Sequence, residues 1–252
     1  EADSIHAIIE STKQAFLLRD QWIADPDQVP VDLQAHLSEE AVAAVAAKVD
    51  LEHVAQWPQV APGGDTVWMG ARDSSGTMVS FIQSLYWEFG SGVVVPEYGL
   101  VWNNRGVGFT LAAGLRQLGP GRKPFHTLNP ALFLHNEGSR IAFGTMGGEG
   151  QPQTQAAIMM RHLYMGESLE NSVARPRWLL GRTWGDADDG LKIEADLDPK
   201  ILSTLDDRGH DITIVPPKSE AMGHAGMVKD DARGGITAAT DPRSDGLALT
   251  AG

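Results

Sequence analysis

The sequence predicts an α+β protein built in layers, and three observations carry that expectation. Helical apolar spacing dominates an acidic first quarter, strand-like stretches begin at residue 66, and helices return after residue 150 before a last set of strands. That order is not the regular alternation of a parallel βαβ fold. At 252 residues with 42% hydrophobic content, the chain is long enough to bury one sizeable core, or one domain with a smaller appendage.

The elements follow in order. From Ser4 to about Asp20, the residues Ile5, Ile8, Ile9, Phe16 and Leu17 fall near helical spacing, with Ser4 at the N-cap position. Asp25-Pro26-Asp27 breaks the pattern, and a second helix is predicted after Ser38, with Glu39 and Glu40 in its first turn, running to Lys48. Gln56 to Gly64 is rich in Pro and Gly and reads as a loop. Thr66–Arg72 and Thr77–Leu85 then flank Asp73-Ser74-Ser75-Gly76 as a hairpin. Further strands are predicted at Leu100–Asn103, Ala131–His135 and Ser139–Phe143. Helices are expected over Gln153–Met165, after Ser168, and over 199–208 with Gly209 as its stop. Strands at Asp211–Val215 and near Gly226 and Ile236 complete the chain.

Charge and composition exclude several classes. A net charge of −13 argues against nucleic-acid or anionic-membrane partners, which need a basic face. Residues 1–65 hold 12 Asp/Glu against 3 Lys/Arg, so the acidity is concentrated there and the remainder is close to balance. The absence of cysteine removes thiol nucleophiles, disulfides and thiolate metal sites. No apolar run approaches the roughly 18–20 residues of a membrane span. The histidines other than His126 (His6, His36, His53, His135, His162, His210, His224) show no ligand spacing, so neither a metal site nor another cofactor is expected.

The chemistry is concentrated at Gly64-Asp65-Thr66, where a threonine opens a strand at the end of a Gly-rich loop. Cleavage before Thr66 would expose its α-amine, with an ordinary pKa of about 7.7–8.0, as a base beside its own hydroxyl. By itself this position is better read as an ordinary structural threonine at a strand edge.

Four motifs add to it: Phe89-Gly90-Ser91-Gly92-Val93-Val94-Val95-Pro96, Val101-Trp102-Asn103-Asn104, Gly144-Thr145-Met146-Gly147-Gly148 with Gln151-Pro152-Gln153, and Thr240-Asp241-Pro242-Arg243-Ser244-Asp245-Gly246. In order and spacing they resemble the gamma-glutamyltransferase family, within it the branch of oxamate amidohydrolases and glutaryl-cephalosporin acylases. The match runs through essentially all of 66–252 and reaches upstream to Asp25-Pro26-Asp27.

The resemblance implies a four-layer αββα N-terminal-nucleophile hydrolase sandwich, incomplete on its N-terminal side. Residues 1–65 would be the tail of the large-subunit-like region and 66–252 the small-subunit-like catalytic region. It implies autoproteolysis before Thr66, Thr66 as nucleophile, Ser84 as the hydroxyl that orients it, and Gly147 and Gly148 as the oxyanion hole. The paired glycines also suit a tight turn, which is compatible with that role. Where gamma-glutamyl enzymes hold the substrate's ammonium, this sequence carries Arg105 and Gly108, and His126-Thr127 replaces their carboxylate-binding serine pair. A planar guanidinium suits a carboxylate and repels an ammonium. A dicarboxylic half-amide is therefore the expected substrate, with Arg105, His126, Thr127 and Tyr86 lining its site. Arg105 also reads as an exposed loop arginine, His126 as a core histidine, and Tyr86 with Trp87 as core aromatics. The alternatives are a gamma-glutamyl hydrolase or transferase acting on glutathione-like substrates, and an inactive structural or binding fragment. The implied partners are a small-molecule amide and the large-subunit portion of the same precursor.

Overall fold

The structure, a computed structural model, describes residues 1–57, 65–181 and 190–250. Its helices are α1 (Ala2–Trp22), α2 (Glu39–Ala46), α3 (Gln151–Tyr164), α4 (Leu169–Ala174) and α5 (Pro199–Asp207). Its strands are β1 (Asp65–Arg72), β2 (Met78–Tyr86), β3 (Val94–Val95), β4 (Leu100–Val101), β5 (Ala131–Leu134), β6 (Arg140–Thr145), β7 (Trp178–Leu180), β8 (Leu191–Glu194), β9 (Ile212–Val215), β10 (Ala225–Asp230) and β11 (Ile236–Thr240). The loop expected over Gln56–Gly64 lies, from Pro58 on, outside the described residues. Among the described residues no helix is long and apolar enough to cross a membrane.

Local chemistry explains most boundaries. Ser38 caps α2 by accepting from Ala41 N at 3.2 Å, Ser168 caps α4 through Asn171 N at 3.1 Å, and Gly209 leaves α5 with a φ of +94°. Ser4 is not a cap: α1 starts earlier, with Glu1 at the cap position and Ser4 inside the helix. Asp25-Pro26-Asp27 does break the helix, and does so as a 3₁₀ turn (Pro26–Gln28) capped by the Asp25 carboxylate.

The chain divides into two compact units. The first comprises 1–58, 90–126 and 198–211; the second comprises 59–89, 127–197 and 212–252. In the first, α1 buries Ile5, Ile9 and Phe16, and α5 contributes the fully buried Leu205. The same face of α1 buries polar groups. His6 Nδ1 meets His210 Nε2 at 2.8 Å, His6 Nε2 meets Asp50 O at 2.9 Å, and Glu10 accepts from Lys13 Nζ at 2.6 Å and Ala55 N at 3.0 Å.

The second unit is layered. Its central sheet runs β11-β10-β6-β5, antiparallel throughout, and β1 and β2 form a hairpin that packs on it. Alternation assigns the two faces. Ile141, Ala225, Met227 and Ala239 form one core with Ile158 and Met159 of α3 and Leu169 and Val173 of α4. The intervening Gly144 and Gly226 lie against Trp68 of β1 on the other face, and Gly70 lies against Val228. A second sheet, β7-β8-β9, pairs β7 with β8 antiparallel and β8 with β9 parallel.

Candidate active site

Thr66 is placed by its strand. Val67 and Met69 are 50% and 45% exposed, so they mark the outer face of β1, and Thr66, Trp68 and Gly70 belong to the face turned toward the central sheet. The Trp68 ring is what allows the close approach. A Cβ on Gly144 would lie 2.1 Å from it and a Cβ on Gly226 2.2 Å, so only glycine fits at both positions. Trp68 Nε1 donates to Ser80 Oγ at 2.9 Å, and Ser80 Oγ donates to the Phe143 carbonyl at 3.1 Å, tying hairpin to sheet.

Thr66 Oγ1 donates to Ser84 Oγ at 2.9 Å, which also accepts from Tyr86 N at 2.9 Å. The register slips between Asp65 and Val67, and Tyr86 pairs with Asp65 while holding a φ of +81°. Positive φ is uncommon for a bulky residue, and such strain, on the order of 1–3 kcal/mol, concentrates at functional sites. Tyr86 is itself buried and stacks on Trp87 with ring centroids 6.2 Å apart, so its side chain serves as packing here. In this structure the chain continues through Asp65 into β1, so the Thr66 nitrogen is a peptide nitrogen.

A cavity of about 1000 Å³ opens along β1, with Thr66, Trp68, Met146, His224, Gly226 and Ser244 among its lining residues. Gly147 and Gly148 are not in its wall but start one residue beyond Met146. They turn sharply from β6 toward α3, with φ values of +125° and +53°, which L side chains rarely adopt. A turn just before β10 packs beside them. A Cβ on Gly147 would lie 3.4 Å from Gly223 Cα, and Met146 N donates to the His224 carbonyl at 3.1 Å.

That neighbouring turn is anchored by buried charge. Arg177 donates to Gly223 O at 3.0 Å and pairs with Asp241, whose Oδ2 accepts from Ala225 N at 2.7 Å. Arg243 joins Asp241 Oδ1 at 3.0 Å to Glu194, which also accepts from Arg177 N at 2.9 Å and Ser219 N at 2.9 Å. Two arginines balance two carboxylates, all four side chains fully buried. Burial would raise the Asp241 carboxyl, but the charges of Arg177 and Arg243 outweigh it and hold the group below its ordinary value. Burial brings the Arg177 guanidinium down to about 10, against the charge of Asp241.

Arg105, His126 and Thr127 divide between the units, the first two in one and Thr127 in the other. Arg105 is only 7% exposed, at the start of a 3₁₀ turn (Arg105–Gly108) whose first nitrogen donates to Asn103 Oδ1 at 3.0 Å. It is therefore not a solvated loop arginine. Burial, then the charge of Arg105, lowers the His126 imidazole from its ordinary value, so these two groups are electrostatic neighbours. Gly108 is fixed by packing, since a Cβ there would lie 2.9 Å from the Phe125 carbonyl. No side chain fits at position 108 without backbone movement.

His6, Glu10 and His210 bring their ligand atoms within 4.8 Å of one another although nothing in their spacing indicates it. The 2.8 Å contact between imidazoles and the Lys13 ammonium on Glu10 make this a hydrogen-bonded network. Ligands on one tetrahedral zinc ion sit about 3.3 Å apart, and a buried cation would meet the lysine charge. The residues that composition did not reveal are Trp68 with its two glycines, the Arg177–Asp241–Arg243–Glu194 network and His224. The available signal was Thr240-Asp241-Pro242-Arg243, recognisable as a motif but carrying no role.

Comparisons agree with this architecture. Residues 1–251 match the family model described as Gamma-glutamyltranspeptidase. The chain is 49% identical over 249 residues to the oxamate amidohydrolase proenzyme of Klebsiella pneumoniae, covering 98% of this chain and 47% of that protein. It is 37% identical to the glutathione hydrolase-like YwrD proenzyme of Bacillus subtilis, covering 97% of this chain and 46% of the other. The crystal structure of cephalosporin acylase from Bacillus halodurans superposes with a TM-score of 0.82 at 31% identity, over 98% of this chain and 45% of that one. The chain thus spans about half the length of the relatives it matches, and its α+β fold is that of the N-terminal-nucleophile hydrolases they represent. With the family model covering nearly every residue, the chain belongs to the gamma-glutamyltranspeptidase family.

Proposed function

We propose that this chain carries the catalytic part of a threonine N-terminal-nucleophile amidohydrolase acting on dicarboxylic half-amides. The observation that carries the reading is the Thr66 hydroxyl, on the second residue of β1, bonded to Ser84 at 2.9 Å and lining a cavity. The names of the relatives, an oxamate amidohydrolase and a cephalosporin acylase among them, support amide hydrolysis as the reaction class.

Two stages use the same hydroxyl. In the first, Thr66 Oγ attacks the Asp65 carbonyl carbon, the Asp65–Thr66 amide becomes an ester, and water hydrolyses it to an Asp65 carboxylate and a free Thr66 amine. In the second, that amine takes the Oγ proton while Oγ attacks the substrate amide. Backbone N–H groups of Gly147 and Gly148 stabilise the oxyanion, and the amine passes the proton to the leaving nitrogen. Water then releases the acyl group as its acid and regenerates the hydroxyl. Arg105, with His126 and Thr127, is assigned to the substrate's free carboxylate, which accepts a planar guanidinium in bidentate fashion. Tyr86 is assigned a supporting role at the site, its backbone N–H holding Ser84.

Intact mass and paired kinetics on the full-length protein test this. A fragment beginning at Thr66 is expected, and Thr66→Ala should abolish both cleavage and hydrolysis. A glutaryl anilide should be hydrolysed in preference to a gamma-glutamyl anilide, with Arg105→Gln depressing the first far more than the second. Normal turnover by an uncleaved protein refutes the nucleophile. Preference for the gamma-glutamyl compound refutes the substrate class in favour of a glutathione-hydrolase activity, which the name of the Bacillus subtilis relative makes the second reading.

A further inference from the structure

His224 was one histidine among several in the sequence, and the packing of β1 on β10 gives it a place. Gly70 lies against Val228 and Trp68 against Gly226. Each step of two residues along β1 is thus matched by a step of two along β10, with both strands counted in the same direction. Thr66 precedes Trp68 by two residues and His224 precedes Gly226 by two, so both lie at the same end of the β1–β10 contact. Both line the cavity, as does Met146, whose nitrogen donates to the His224 carbonyl at 3.1 Å. The other charged or titratable wall residues, Arg72 and Asp73, sit six and seven residues along β1 from Thr66, about 20 Å or more away. At the nucleophile's end of the cavity, among its lining residues, His224 is the one titratable side chain.

Its tautomer can be argued. His224 Nε2 is buried and hydrogen-bonds no other described residue. A buried N–H without an acceptor is rarer, and costlier, than a bare lone pair. The proton is therefore assigned to Nδ1, the other nitrogen of a ring that lines the cavity.

We propose that His224 is a substrate-binding residue whose Nδ1–H donates to the carboxylate of the half-amide, and that it favours short acyl chains. The proposal rests on the half-amide reading above. A carboxylate attached directly to the scissile carbonyl lies about 2.5 Å from the carbon that Thr66 attacks, whereas a glutaryl carboxylate reaches about 6 Å. A donor at the Thr66 end of the cavity serves the first and is overshot by the second. A carboxylate accepts from several donors at once, so this assignment does not compete with that of Arg105.

The test compares oxamate with pyruvamide, which has nearly the same size and the same amide but a methyl group in place of one carboxylate oxygen, so that the charge is removed and a single neutral carbonyl acceptor remains. In the full-length protein, His224→Leu should lower the oxamate-to-pyruvamide ratio of kcat/KM by about 10–100-fold, mostly through KM, the scale of one hydrogen bond to a charged group. His224→Asn, which keeps an N–H near Nδ1, should stay within about fivefold of the parent ratio. Both substrates are assayed in one preparation, so any unfolded fraction cancels. Equal loss on the two compounds, or no loss, makes His224 a wall residue and overturns the proposal while leaving the half-amide reading intact. A larger loss on glutaramate than on oxamate overturns the chain-length claim. If the parent protein hydrolyses neither oxamate nor glutaramate but does cleave a gamma-glutamyl anilide, the half-amide reading fails and this proposal fails with it.

Discussion

Gly144→Ala probes the contact that sets the nucleophile's position. The added methyl would lie 2.1 Å from Trp68 Cδ1 and 2.4 Å from Nε1, well inside the 3.4–4 Å of ordinary contact. The ring cannot slide away along the sheet, because Gly226 already approaches its far edge so closely that a Cβ there would lie 2.2 Å from Cζ3. It must lift, and lifting breaks the 2.9 Å bond from Nε1 to Ser80. Overpacking of this kind costs about 1–3 kcal/mol and the lost hydrogen bond about 1 kcal/mol, together about 2–4 kcal/mol. For a chain of this size that lowers Tm by about 5–15 °C. Thr66, two residues along β1, moves with the strand, and displacement by about 1 Å can cost about 100-fold in turnover. Urea denaturation of Gly144→Ala, Trp68→Leu and the double variant measures the coupling. In the Trp68→Leu background the alanine should cost less than about 1 kcal/mol, since the ring it strikes is gone. An equal cost in both backgrounds, or a cost below about 0.5 kcal/mol in the parent, would refute the idea that glycine is required here by Trp68.

Two further outcomes are expected. Asp241→Asn leaves Arg177 and Arg243 buried with their charge unbalanced, so stability should fall by about 3–5 kcal/mol in urea titrations; a change below about 1 kcal/mol would show that water reaches the network. His210 is lowered to about 4 by burial, then by the charges of His6, Lys13 and Arg208, from an ordinary value of 6.5. The folded chain therefore binds fewer protons there than the unfolded chain between pH 6.5 and 4. Stability should be full above pH 6.5 and decline as pH falls through that window, by about 1–2 kcal/mol after allowance for solvent screening. His210→Gln should flatten this slope between pH 7 and 4.5, and an unchanged slope would assign it to other groups.

Much of this molecule can be read along the chain, where the causes are local. The Asp73–Gly76 turn, the Ser38 and Ser168 caps and the Gly209 stop each depend on residues within a few positions, and each is found where the sequence predicts it, with strand and helix ends differing by at most two residues. β7 and β8 were missed for a physical reason. Trp178–Leu180 is short and buried on both faces, and Leu191–Glu194 buries Lys192 and Glu194 beside its apolar residues, so neither shows the apolar–polar alternation of a half-buried strand. The motif resemblance pointed to Thr66, Ser84, Gly147 and Gly148, and the structure supplies the 2.9 Å bond between the first two and the positive φ of the last two.

What sequence alone determined, then, was the class of fold, the family and the residue types that could act, because these depend on periodicity, turn chemistry and motif order. Only the tertiary structure decided the rest. It buried Arg105, closed position 108 against any side chain, and gathered Arg177, Glu194, Asp241 and Arg243 into one neutral network. It also brought His224 into the wall of the cavity that Thr66 lines, 158 positions away in the chain. Each of these depends on which sheet face meets which, and so on pairings between segments far apart in sequence. No local pattern encodes them, because the free energy that selects them arises when the β1–β2 hairpin docks and Trp68 settles over two glycines of other strands.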